Sequence, residues 1–160
     1  MPLRYRSLQK SGTFFITTST YRHIRYFQSP KQYDRLAQLI EYYKKRDNAI
    51  IHGYVLMPNH FHLLISIPEN KSISDYMRDL KKRSVFEFKN IIPGIQTKLW
   101  QDRFDDLALR SMRTYLTKLN YIHNNPVKAG LVGEITQWPY SSARYYLGGQ
   151  KSIIEIKPIE

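Results

Sequence analysis

The sequence predicts an α+β fold, a ferredoxin-like antiparallel sheet with helices packed on it. Three observations lead there. Strand-like and helix-like segments follow one another in the order β-α-β-β-α-β-α. The second and third strand-like segments are separated only by Pro58-Asn59, a pair that suits the centre of a tight hairpin turn. The chain has 160 residues, of which 42% are hydrophobic and 14% aromatic, enough for one domain with a real core. No repeat, low-complexity tract or linker divides it. The expected arrangement places the helices on one face of the sheet.

The elements follow from local chemistry. GTFFITTST, Gly12 to Thr20, is β-branched and aromatic and reads as the first strand. Ser29 then offers an N-cap and Pro30 a first helical position, and Tyr33, Leu36, Ala37, Ile40 and Tyr43 recur at helical spacing. AIIHGYVLMP and HFHLLISIP are the two hairpin strands. Ser72 and Asp75 suggest a capping box for a helix from near Ile73. Ile73, Tyr76, Met77, Leu80 and Ser84 share one face of that helix, while Arg78, Lys82 and Lys89 form a basic ridge roughly opposite. IIPGIQTK is a loop, and a short strand is expected near Leu107 to Arg110. SMRTYLTKLNYIHNN is a helix stopped by Pro126, VKAGLV is a turn, and WPYSSARYYL suits a short final helix.

Composition narrows the function. There are no cysteines, which excludes disulfides, a thiol nucleophile and a zinc–thiolate centre. No apolar run reaches the roughly 18 residues of a membrane span. The basic start MPLRYRSLQK leads into no apolar signal segment, so a cytoplasmic protein without membrane contact is expected. Lys and Arg total 25 against 13 Asp and Glu, a formal net charge of +12. The pI near 9.9 fits a nucleic-acid partner. Basic residues interleave with the 13 tyrosines in RYRSLQK, YRHIRYF and EYYKKR, a mixture suited to single strands, whose bases stack on rings and whose phosphates meet cations.

The chemistry-bearing residues sit in two places. His60 and His62 alternate with Phe61 and so share a strand face, while Phe61, Leu63 and Ile65 point into the core. Two imidazoles so placed can meet one metal ion. An isolated His-x-His is more often a pair of ordinary strand histidines, and two ligands do not complete a site. On the third helix, Met112, Tyr115, Leu116 and Ile122 fall within about sixty degrees of Leu119 at ~100° per residue. Tyr121 falls nearly opposite, as a packed or surface tyrosine or as a functional one. Asn125 shares its side if the helix persists past the residue before Pro126; Asn124 and Asn125 equally suit a helix end. Together these pieces fit one chemistry: a phenol oxygen attacks a phosphodiester beside a histidine-held metal, on a cationic surface.

At this point the sequence resembles a known family. MPNHFHLLI is similar to the His-hydrophobe-His signature of single-tyrosine HUH transposases. YIHNNPVKAGLV followed by WPYSSARYYL resembles the C-terminal block of their REP-associated tyrosine transposase branch. The likeness extends to GTFFITTST and WQDRFDDLALR, and so spans most of residues 10–147. It implies the HUH nuclease fold in a single domain, 1–160, with the segment from about 131 as an extension. It implies His60 and His62 as metal ligands, Asn125 as a further polar group near the metal, and Tyr121 as the nucleophile. The family cuts single-stranded DNA near hairpins with Mg²⁺ or Mn²⁺, leaving a 5′-phosphotyrosine and a free 3′-hydroxyl. Imidazoles equally suit softer metals, so the magnesium assignment rests on the resemblance. Arg78, Lys82 and Lys89, with Arg103 and Lys118, are the candidate DNA contacts. One departure stands out: where relatives often carry an acid followed by histidine, FDDL keeps Asp106 but has Leu107. A water-using metal phosphodiesterase and a non-catalytic DNA-binding protein are the competing readings. A homodimer is open as well, since some single-tyrosine relatives swap the tyrosine helix between subunits, while the REP-associated branch looks able to act as a monomer.

Overall fold

The computed structural model describes residues 9–95 and 98–160; the basic start at residues 1–8 and the loop positions Gln96 and Thr97 lie outside it. Strands β1 (Gly12–Ser19), β2 (Ile50–Met57), β3 (His60–Ile67) and β4 (Asp105–Ala108) form one sheet in the order β2-β3-β1-β4. Every pairing among them is antiparallel, which gives the expected ferredoxin-like arrangement. Helix α1 (Pro30–Arg46) starts at Ser29, whose side chain accepts from the Gln32 N–H while the Gln32 side chain accepts from the Ser29 N–H. Helix α2 (Ile73–Phe88) starts at Ser72. Its expected capping box is only half formed. Ser72 accepts from the Asp75 N–H, but the Asp75 carboxylate turns to Arg78, 3.0 Å away.

The helices do not all lie on one face. Leu36 and Ile40 of α1 and Tyr76 and Leu80 of α2 pack with Phe14, Ile16, Leu56, Phe61, Leu63 and Ile65. Helix α3 (Met112–Lys128) lies on the other side, its Tyr115, Leu119 and Ile122 against Phe15, Val55, Met57 and Leu64. Both faces of β2 and β3 are therefore covered, and these strands are buried almost throughout. At Gly53 a Cβ would stand 2.6 Å from Leu119 Cδ1, so a larger residue there would force the Leu119 side chain to shift.

Three further expectations are corrected. The fourth strand runs Asp105–Ala108 rather than from Leu107 to Arg110, because its register is set by pairing with β1, Thr17 opposite Asp105 and Phe14 opposite Ala108. Helix α3 passes through Pro126 to Lys128. The Ala129 N–H donates to the Asn125 carbonyl at 2.9 Å, and the buried Pro126 ring offsets the one hydrogen bond that proline forfeits. Met112 and Leu116 are about half exposed, while the buried stripe of α3 is Tyr115, Leu119, Ile122, His123 and Pro126.

The C-terminal segment, including the short helix α4 (Ala143–Gly148), covers the outer edge of β2. The Leu56 N–H donates to Tyr140 O, the Ser142 N–H to Tyr54 O and the Lys157 N–H to Ile51 O, all at 2.8–3.0 Å. Trp138 Nε1–H reaches Leu56 O at 2.9 Å. An edge paired in this way offers no template to another strand. Among the described residues no helix is long and apolar enough to cross a membrane.

Candidate active site

The two-residue turn at Pro58-Asn59 and the strict alternation of β3 put His60 and His62 on the α3 face. Their ring centroids are 4.9 Å apart, edge to face. Each imidazole is oriented by a neighbour. His60 Nδ1 meets Asn59 Oδ1 at 2.8 Å, and His62 Nδ1 meets Thr17 Oγ1 at 2.9 Å. An amide oxygen only accepts, so a neutral His60 donates either from Nδ1 to Asn59 or from Nε2 to Asn125, not both. That Nε2 lies 3.2 Å from Asn125 Oδ1. With the proton on Nδ1, the Nε2 and Asn125 Oδ1 lone pairs face one another, an arrangement that a cation shared by both would relieve.

Burial keeps both imidazoles neutral. Desolvation is the main cause of the lowered pKa of His60, reinforced by His23 and opposed by the Asn125 contact. His62 is pushed down to about 3, first by burial and then by the proximity of His60. Neutral imidazole is the form that binds metal. His123, which meets Ser142 Oγ at 2.8 Å and helps lock the C-terminal segment to α3, is lowered by burial to about 4. These depressed values give a pH prediction. The unfolded chain protonates these rings below about pH 6.5 while the folded chain does not, so stability should hold above that pH and fall as pH drops toward 4. Urea midpoints at about pH 7.5 and about pH 5 check this, and equal midpoints would contradict buried, neutral rings.

Because α3 continues past Asn125, Tyr121 and Asn125 stand one turn apart on the side nearest the histidines. The Tyr121 ring is edge-on to His62 at 5.4 Å and to Phe15 at 5.9 Å, and Phe15 stacks on His62 at 5.1 Å. Tyr121 is 43% exposed, and its hydroxyl has no hydrogen-bond partner among the described residues. One chain therefore brings together His60, His62, Asn125 and Tyr121. Lys118 joins them, with Nζ 4.9 Å from the Phe15 ring centre and 5.7 Å from that of Tyr121.

The other candidate DNA contacts lie elsewhere. Arg103 is exposed in the loop before β4. Arg78 and Lys82 sit on α2 and Lys89 caps its C-terminus, across the sheet from the histidines. Arg78 is held by Asp75 and Asp79, each at 3.0 Å, and Lys89 Nζ lies over the Phe86 ring at 5.2 Å. The acid question also changes. Asp106 pairs with Ile16 and is buried on the α1/α2 side, whereas Asp105 stands opposite Thr17, which stands opposite His62. Asp105 is the acidic residue on the histidine face. Leu107, opposite Phe15, presents an apolar side chain there. The residues missed from sequence are Asp105 and the orienting set of Phe15, Thr17 and Asn59. Only Asn59, adjacent to His60, carried a local signal.

Among the described residues there is no cluster of three or more His, Cys, Asp or Glu side chains fit to hold a metal. The donor set present is instead two neutral imidazoles and an amide oxygen. It fits a divalent cation that keeps several positions for water or phosphate oxygens.

Residues 10–125 match the protein family described as Transposase IS200 like. The REP-associated tyrosine transposase of Escherichia coli (strain K12) is 32% identical over 136 residues, covering 83% of this chain and 77% of its own. A Haemophilus influenzae relative is 30% identical over 154 residues, covering 86% of this chain and 82% of its own. Among solved structures, a REP-associated tyrosine transposase bound to a REP hairpin superposes with a TM-score of 0.77 at 27% identity, over all of this chain and 94% of that one.

Proposed function

The chain belongs to the IS200-like transposase family, and on that premise we propose that it cleaves and rejoins single-stranded DNA near hairpins through Tyr121. The observation that carries this reading is the convergence, within one chain, of the Tyr121 phenol, the His60–His62 pair and Asn125. The phenol oxygen attacks the scissile phosphorus and loses its proton to solvent. The bond to the 3′-oxygen breaks, that oxygen leaves protonated as a 3′-hydroxyl, and the 5′-phosphate remains on Tyr121. Attack by a 3′-hydroxyl on the phosphotyrosine reverses the step and rejoins strands. His60, His62 and Asn125 would hold a divalent cation, Mg²⁺ or Mn²⁺ by family likeness, which when bound polarises the phosphate and offsets its developing charge. Asn59 and Thr17 keep the imidazoles in place. Phe15 and Lys118 flank the phenol, where the Lys118 cation favours an approaching phosphate.

Hairpin DNA as substrate is supported by the hairpin held in the solved neighbour and by the +12 charge of this chain. The site is complete in one chain, which favours a monomer over a helix-swapped homodimer. Residues 1–160 act as a single domain in this reading, with the segment from about 131 bracing the edge of β2, and the protein works in the cytoplasm beside its DNA. Leu107 favours a second reading, a hairpin-binding protein that cleaves poorly.

The test is incubation of labelled hairpin-bearing single-stranded DNA with Mn²⁺, followed by denaturation. Label attached to protein supports the proposal. Cleaved DNA without attachment supports water-based hydrolysis, and binding without either supports a binding protein. Arg78, Lys82 and Lys89 are proposed to meet phosphates from the far side of the sheet. Neutralising all three should lower the slope of log K against log salt by about 2, at ~0.7 per phosphate. The rate of adduct formation on saturating DNA should not change. An unaltered slope would place the DNA elsewhere.

A further inference from the structure

A cavity of about 580 Å³ opens beside the β2–β3 turn. Pro58, two residues before His60, forms part of its wall. Four aromatic rings line it, those of Phe27, Tyr33, Trp138 and Tyr140. Tyr33 and Tyr140 stack at 4.1 Å, and Trp138 meets them edge-on at 5.8 and 5.4 Å. Two of these rings spend their polar atoms inward. The Tyr33 hydroxyl donates to Phe27 O, and Trp138 Nε1–H donates to Leu56 O. The cluster is thereby fixed: Phe27 and Tyr33, 1% and 3% exposed, back the cavity, and the half-buried Trp138 and Tyr140 offer the ring surface that a ligand can reach. Arg25 and Gln28 stand at its rim, both exposed. Arg25 has no carboxylate partner among the described residues, and no Asp or Glu lines the cavity.

Its position is tied to the candidate active site. The Phe27 N–H donates to Pro58 O at 3.1 Å, and the Thr20 N–H donates to Asn59 O at 2.9 Å. The cavity wall and the turn that carries Asn59 and His60 are therefore one hydrogen-bonded unit. A strand that offers a phosphate to His60 passes the cavity mouth within a few nucleotides. Rings for stacking, an unpaired cation for phosphate and the absence of acid suit an unpaired nucleobase; an acidic or purely apolar ligand would leave either the rings or the cation unused.

We propose that this cavity binds one unpaired base of the strand being cut, with Arg25 on the adjoining phosphate, and so sets which phosphodiester reaches Tyr121. This rests on the reading of Tyr121 as the cleavage centre, but it concerns a separate place in the fold.

The test uses the full chain, with EDTA to prevent cleavage, and hairpin oligonucleotides carrying 4-thiothymine at successive positions of the single-stranded flank. After irradiation and digestion, one flank position should crosslink to residues 138–140. An abasic residue at that position should weaken binding about tenfold, as expected for one base–aromatic stack. Arg25→Ala, a surface change that leaves the fold alone, should weaken binding of the intact oligonucleotide and shrink the abasic penalty. Crosslinks confined to other parts of the chain, or an abasic scan with no sensitive position, would overturn the proposal even if Tyr121 adducts form. Crosslinks in the cavity without any Tyr121 adduct under Mn²⁺ would uphold the base site and count against the cleavage reading instead.

Discussion

Tyr121→Phe is expected to remove strand cleavage and the covalent adduct together, by at least about a thousandfold, the scale seen when a nucleophile is deleted. Folding and DNA binding should stay at wild-type level. Only the phenol oxygen is lost. The ring keeps its edge contacts with Phe15 and His62, and no hydrogen bond among the described residues goes with the hydroxyl. Stability should change by no more than about 0.5 kcal/mol. Tyr115→Phe is the control. Tyr115 is 3% exposed, and its hydroxyl meets that of Tyr146 at 3.4 Å. It should cost about 0.5–1.5 kcal/mol and leave the adduct intact. Adduct gels and urea titrations of the two variants read both quantities. A Tyr121→Phe protein that still cleaved at the wild-type rate would contradict the assignment, pointing to a water-using phosphodiesterase if no adduct formed and to another tyrosine if one did.

The histidine variants should separate chemistry from packing. His60→Ala and His62→Ala are each expected to lower Mn²⁺-dependent cleavage by at least about a hundredfold, since the loss of a ligand should exceed the 10–100-fold typical of a residue behind one. Hairpin binding should persist in both. Their stabilities should differ. His60 is only half-buried, so its loss should cost little, whereas His62 is 3% exposed and stacked on Phe15. Truncating His62 leaves a void and should cost about 2 kcal/mol. Undiminished cleavage by both variants would remove the metal from the account.

What the sequence made legible was local. Ser29 with Gln32 announces its helix, because the cap is made between residues three apart. The hairpin turn at Pro58-Asn59 fixes the register of β2 and β3, and with it the shared face of His60 and His62. What stayed hidden depends on distant pairing. Thr17 is 45 residues from the His62 ring that it orients. The short strand β4 takes its register from β1, so the identity of the acid on the histidine face, Asp105 rather than Asp106, could not be read from alternation alone. The placement of α3 opposite α1 and α2 did leave a trace. IIHGYVLM carries apolar residues on both alternations, Val55 and Met57 on one and Tyr54 and Leu56 on the other, the pattern of a strand covered on two sides. Pro126 misled because a proline ring that finds a buried seat need not end a helix.

The central claim is that Tyr121, and no other tyrosine, takes the DNA. The most direct measurement is mass spectrometry of the covalent complex formed with hairpin-bearing single-stranded DNA and Mn²⁺, digested with nuclease and then trypsin. The account predicts a nucleotide mass on Tyr121, in the peptide spanning residues 119–128. A nucleotide on any other of the 13 tyrosines, or cleaved DNA with no modified peptide, would contradict it.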